Sequence, residues 1–114
     1  ASYCHCSLCR KSSGAPFTGF VQFAPGEPVW TAGVPRIHDS SPGVRRRFCG
    51  DCGSPLTFET DEILFVTLGS LDRPERVAVV RHTYTATRLP AIVLADGLPQ
   101  TAGPAGGKGG RAGD

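Results

Sequence analysis

Three cysteines fall within six positions at the start of the chain, Cys4, Cys6 and Cys9 in CHCSLC, and two more stand at Cys49 and Cys52 in FCGDCG. A thiolate is both a nucleophile and a metal ligand, and zinc takes four such donors in closed structural sites and three in sites that keep a position open. Cys4 and Cys6 lie two residues apart, so extended backbone projects both sulfurs to one face, and a tight turn returns Cys9 to it. The C-x-x-C spacing of Cys49 and Cys52 is that of a metal knuckle. Gly50 and Gly53 supply the backbone freedom and close approach such a turn needs.

Two arrangements are compatible with these spacings. In one, Cys6, Cys9, Cys49 and Cys52 close around a single structural zinc, and the chain is a non-catalytic, zinc-stabilised binding module. In the other, Cys4, Cys6 and Cys9 form a three-ligand site with an open fourth position, and Cys49 and Cys52 belong to a second site. Spacing alone leaves both open. Burial of the thiols as small hydrophobes is the weaker reading, because polar residues and glycines surround them.

The elements that must position these residues read as mainly β. Helical periodicity is nearly absent, and short runs rich in β-branched and aromatic residues alternate with Gly, Pro, Ser and Asp clusters. Strands are predicted at 17–23, 29–31, 35–39, 44–48, 55–59, 63–69 and 77–85. In the first, Phe17, Gly19, Val21 and Phe23 share one face and Thr18, Phe20 and Gln22 the other. Ser12, Ser13 and Gly14 are read as the turn into it. A small arrangement of folded antiparallel sheets with little or no helix follows. Residues 1–99 form the domain, and the Gly/Ala-rich stretch 100–114 has no apolar anchor and is read as disordered.

At 114 residues the chain has a thin core, and a metal staple would help it. The odd number of cysteines, their knuckle spacing and the lack of an apolar leader favour reduced thiols in a cytoplasmic compartment. No apolar run approaches the ~20 residues that cross a bilayer. A net charge of +2 with dispersed basic residues argues against a nucleic-acid partner. The chain starts at Ala1 and has no methionine, so residues upstream are expected to be missing.

The segments CHCSLCRKSSGAPF (4–17), SSPGVRRRFCGDCGSPL (40–56), GSLDRP (69–74) and DGLP (96–99), in that order, resemble the glutathione-dependent formaldehyde-activating enzyme family, also called the centromere protein V/GFA domain. The resemblance implies a zinc-binding fold of the β-tent type and a carbon–sulfur lyase that interconverts glutathione plus formaldehyde with S-hydroxymethylglutathione. It implies Zn2+, one or two ions, and glutathione as co-substrate. By motif, Cys4, Cys6 and Cys9 are the ligands of the catalytic zinc. Cys49 and Cys52 are half of a structural site, whose other half in relatives is an upstream C-x-C strand that this sequence lacks.

Three thiolates on Zn2+ leave a net charge of about −1, a site better suited to a fourth, nucleophilic thiolate than to strong polarisation of water. Arg10 and Lys11 follow the triplet and can offset its charge or meet a substrate carboxylate. Of Arg45, Arg46 and Arg47, alternating across a predicted strand, Arg45 or Arg47 is the candidate for anion binding. His5 should face away from the metal, and His38 and His82 have no partner that the sequence identifies. Asp72 reads as a turn cap before Pro74. The expected partner is a small thiol or aldehyde, with neither nucleic acid nor membrane.

Overall fold

A computed structural model describes residues 1–104. Its seven strands are β1 Ser2–Cys4, β2 Thr18–Phe23, β3 Arg36–Ser41, β4 Val44–Phe48, β5 Pro55–Glu59, β6 Leu64–Thr67 and β7 Arg81–Thr83. One helix, α1 Ser7–Ser13, joins β1 to β2, and three short 3-10 turns occupy Leu68–Ser70, Pro74–Arg76 and Thr85–Thr87. The mainly β expectation with little helix therefore holds. The strands make one continuous sheet in the order β3-β4-β5-β6-β2-β1-β7, antiparallel throughout except for the parallel pair β1 and β7.

Register and pleat explain where the core sits. Cys4 stands opposite Thr18, Phe20 opposite Thr67, Gln22 opposite Phe65, Phe65 opposite Phe58, and Phe58 opposite Arg46. Side chains two apart on a strand share a face, so these residues and Val44 line one side of the sheet. Phe20, Phe58, Phe65 and Val44 form one buried cluster there with Cys4, Cys6 and Cys9. The thiols are thus built into the main hydrophobic core. The opposite pleat carries Tyr3, which stands opposite Gly19 and His82.

β4 and β5 occupy the predicted stretches, whereas 29–31 is not a strand and β7 is a short part of 77–85. Val29 is 78% and Trp30 42% exposed. A β-prone run forms a strand only when something pairs with it. β1 is the converse: its three residues are held between β2 and β7, so pairing on both sides makes a strand that local composition does not announce.

The disorder predicted from residue 100 is corrected for the first residues of that stretch. Pro99 O accepts from His82 N, Thr101 N donates to His82 O, and Gly103 O accepts from Tyr84 N. This adds a parallel bridge between His82 and Gln100 along the outer side of β7. The unpaired edge of β7 offers backbone groups to any extended chain beside it, so Gly content did not prevent pairing. Residues 105–114 lie outside the described residues. No described helix is long and apolar enough to cross a membrane.

Candidate metal centre

Cys4 ends β1, Cys6 is the N-cap of α1, and Cys9 lies in its first turn. The return of Cys9 toward Cys4 and Cys6 is therefore helical, where a tight turn was predicted. The helix is short, and its ends account for it. Cys6 Sγ accepts a hydrogen bond from Cys9 N at 3.2 Å, and Gly14, at φ 74°, closes the far end by donating to Arg10 O. That φ belongs to the left-handed region that glycine enters without cost. Ser12 and Ser13, read as a turn, are the last residues of α1.

The three sulfurs lie within 4.8 Å of one another, and all three residues are buried. Thiolates placed tetrahedrally about one ion at 2.3 Å would sit about 3.8 Å apart. The cluster can therefore hold a metal ion with small adjustment. Among the described residues it is the only such group of three or more ligands. The closed site of Cys6, Cys9, Cys49 and Cys52 is consequently not formed.

Hydrogen bonding makes the sulfurs unequal. Cys6 accepts from the Cys4 and Cys9 thiols and from the backbone N–H groups of Cys9 and Leu8, which hold its pKa at about 3 despite burial. Cys4, donating to Cys6 and Cys9 and buried, is raised far above the usual thiol range. Cys9 accepts from Cys4, which lowers it, but its bond to Cys6 and its burial raise it on balance to about 12. One negative charge is thus shared among three sulfurs near neutrality.

A metal ion must displace the protons of Cys4 and Cys9, while Cys6 has none to lose. Two protons should be released per ion bound, and apparent affinity should rise about a hundredfold per pH unit near pH 7, falling as acid restores the thiols. Proton release in a weakly buffered titration measures this. A count of one or three would contradict the assignment.

Cys49 and Cys52 occupy the turn between β4 and β5. Cys49 N donates to Ser54 O at 2.9 Å, Gly53 N donates to Cys49 O at 2.8 Å, and Gly53 has φ 79°. The backbone N–H groups of Cys52 and Asp51 aim at the Cys49 sulfur and hold its thiol below the usual range. This is the knuckle the spacing predicted. Among the described residues, no third His, Cys, Asp or Glu completes a group with it.

The alternation of β1 sends His5 to the side opposite Cys4, as predicted. His5 Nε2 and His82 Nδ1 lie 2.9 Å apart, and His82 Nε2 lies 2.7 Å from Asp96 Oδ2. A carboxylate only accepts, so His82 Nε2–H donates to Asp96, and with His82 neutral its Nδ1 accepts from His5 Nε2–H. His5 Nδ1 is then a buried acceptor, and it has no partner among the described residues. The partners of His82 come from 77 residues upstream and 14 downstream. No short-range signal connects them.

The arginine run divides by face. Arg45 meets Asp61 at 3.4 Å, and Arg47 Nε meets the buried Glu59 at 2.6 Å. Arg46 points instead toward the cysteines: Nη2 is 3.9 Å from Cys9 Sγ, Nη1 is 2.9 Å from Ser12 Oγ, and the guanidinium lies 4.9 Å from the Phe58 ring centre. Sequence reasoning singled out the neighbours of Arg46 and missed it. With arginine at all three positions, only burial on the Phe58 side could distinguish them.

Arg46 also lines a pocket of about 390 Å³ together with Ser12, Thr18, Phe20, His38 and Ser40, among others. Two wall residues bond Cys9 directly, since the Ser12 and Thr18 hydroxyls donate to Cys9 O at 3.2 and 3.4 Å. Arg10 is half-buried and Lys11 exposed in the last turn of α1, where cations complement the helix dipole; neither lines this pocket. His38 stands opposite Arg46 on β3. Asp72 is exposed just before the 3-10 turn at Pro74.

The model of a family described as glutathione-dependent formaldehyde-activating enzyme matches residues 1–87. No curated protein matches the chain.

Proposed function

Because the chain belongs to the glutathione-dependent formaldehyde-activating enzyme family, we propose that it is a zinc-dependent carbon–sulfur lyase joining the glutathione thiol to formaldehyde, or acting on a related thiol adduct. The observation that carries this reading is the convergence of Cys4, Cys6 and Cys9, with no fourth ligand among the described residues, beside a pocket. The donor set fits zinc: three soft sulfurs, all buried, at spacings that a tetrahedral ion would draw together. When bound, zinc would supply a positive centre that lowers the pKa of an incoming thiol and keeps it as thiolate near neutral pH.

The residues of this chain do the rest. Cys4, Cys6 and Cys9 present their sulfurs from a strand end and a helix cap, so the geometry is held by two elements packed into one core. His5 is turned away and tied to His82, which keeps an imidazole from filling the remaining position. Arg46 sets one positive charge against the sulfurs. In the reaction the thiol gives up its proton, its sulfur bonds to the aldehyde carbon as the C=O π pair moves to oxygen, and that oxygen takes up a proton; cleavage of the C–S bond is the reverse. Arg10 and Lys11 remain secondary candidates for a substrate carboxylate. Cys49 and Cys52 are proposed as two donors of a second, structural zinc. Thiol ligands of both sites stay available only in a reducing compartment, which favours the cytoplasm.

The test is the rate of S-hydroxymethylglutathione formation with zinc-loaded protein, measured against the spontaneous reaction. Acceleration that disappears in Cys9→Ser is the expected result. A zinc-loaded protein that leaves the spontaneous rate unchanged would exclude the reading.

A further inference from the structure

The DGLP segment (96–99), which the proposed reaction does not use, stands at one end of a chain of hydrogen bonds whose other end lies between two of the metal-site cysteines. Asp96 Oδ1 accepts from Leu98 N at 3.1 Å, Gly97 takes φ 73°, and Pro99 O accepts from His82 N at 2.9 Å, so the segment is a tight turn docked along β7. From that turn Asp96 Oδ2 meets His82 Nε2 at 2.7 Å, and His82 Nδ1 meets His5 Nε2 at 2.9 Å. His5 is the residue between Cys4 and Cys6.

His5 is anchored at every hydrogen-bonding group but one. Its N–H donates to Thr83 O at 3.0 Å, and its carbonyl accepts from the Thr87 hydroxyl at 2.9 Å. The residue is 1% exposed, and its ring lies against those of Phe17 and His82, with centres 4.8 and 5.1 Å away. The remaining group, Nδ1, has no partner among the described residues. A phenylalanine would pack in the same ring-lined space without the cost of an orphaned buried polar atom, about 1–3 kcal/mol. What an imidazole adds there is one directional bond, Nε2–H to His82, which fixes how the ring and the backbone that carries it are turned.

Direction matters at this position. Side chains alternate along extended backbone, so the Cys4 and Cys6 sulfurs leave on the side opposite the His5 ring, and a turn of residue 5 swings them relative to Cys9. The sulfurs lie within 4.8 Å of one another, and metal–ligand distances tolerate only about 0.2 Å of error.

We infer that Asp96, His82 and His5 form a positioning chain for the metal centre. The turn at Asp96 orients His82, His82 orients His5, and His5 sets the relative placement of the Cys4 and Cys6 sulfurs. All three are positioning residues acting through the ligands on either side of His5. The inference rests on metal binding by the three cysteines and not on the lyase reaction.

Cobalt(II) loaded into the full chain reports the coordination geometry, because the energies and intensities of its visible bands depend on the angles between ligands. His5→Phe and His82→Phe fill the space and remove the bond; both should shift these bands and weaken cobalt binding about 10- to 100-fold, the range for losing outer partners of a metal site. His82→Asn places an amide oxygen near the position of Nδ1, restores an acceptor for His5, and should return both readouts close to wild type. Asp96→Ala, at a side chain that is 41% exposed, leaves the core intact and should shift the bands in the same direction by less. Leu64→Ala, at a buried position outside the cysteine cluster, lowers stability without touching the chain of bonds and should leave the bands in place.

Unshifted bands in Asp96→Ala and in the phenylalanine variants overturn the proposal; where the phenylalanine variants do not fold, Asp96→Ala decides alone. An equal shift in Leu64→Ala overturns it too, because loosening anywhere in the core would then suffice, as does a His82→Asn spectrum no closer to wild type than that of His82→Phe. A wild-type protein without a thiolate-to-cobalt charge-transfer band overturns the metal centre itself and this inference with it. The expected shifts in a protein that does not accelerate the formaldehyde reaction support the positioning chain and overturn the lyase reading.

Discussion

Replacing Cys6 with alanine is expected to lower metal affinity about a hundredfold and, separately, to loosen α1. A closed four-donor zinc site is worth about 10–16 kcal/mol, so one donor's share is roughly 3 kcal/mol, or about two powers of ten. Cys6 is also the N-cap: its sulfur takes the Cys9 N–H, an interaction whose loss to alanine costs about 1 kcal/mol in helices generally. Cys6→Ser separates the roles. Serine is a good cap, but its oxygen is harder than sulfur and stays protonated at neutral pH. Metal-free Cys6→Ser should therefore unfold close to the wild-type denaturant midpoint, whereas Cys6→Ala should unfold earlier; in chelator competition both should lose the ion. Wild-type metal retention by Cys6→Ser would remove Cys6 from the ligand set.

The second large effect is expected at His82. Its ring is 1% exposed as a residue and links His5 to Asp96 across the far side of the sheet. His82→Ala leaves both ring nitrogens of His5 unpartnered in a buried site, since Nδ1 has no partner already. It also opens a cavity between Tyr3 and His5, whose rings lie 5.3 and 5.1 Å from that of His82. An orphaned buried polar group costs about 1–3 kcal/mol and an imidazole-sized cavity adds a comparable amount, so a loss of about 3–5 kcal/mol is expected. For a domain of ordinary stability this is a large fraction of the total. Asp96→Asn keeps an acceptor for His82 on a side chain that is 41% exposed and should cost far less. Urea unfolding of the two variants provides the comparison; equal midpoints would show that the histidine pair carries no structural weight.

Much of the site was legible because it is local. C-x-C followed by x-x-C specifies a three-thiol group within six residues, and C-x-x-C with flanking glycines specifies a knuckle, whatever surrounds them. β4 and β5 were legible from composition and their flanking turns. The helix was not, since Ser7–Ser13 has no apolar period; it exists because Cys6 caps it, Gly14 ends it and Cys9 packs into the sheet core.

Arg46 was illegible for another reason. Alternation showed that the three arginines divide between two faces, but identical residues carry no contrast to show which face is buried. The register of β4 against β5 decides that, setting Arg46 opposite Phe58. The same holds for His5 with His82 and for the docking of residues 99–103 beside β7, which join parts of the chain far apart in sequence. From sequence alone came the candidate donors, their number and the mainly β class, because spacing and residue chemistry act over a few positions. Only the tertiary structure decided which sulfurs meet, which arginine faces them and what backs the ligand strand, because those depend on strand order and on which pleat the core covers.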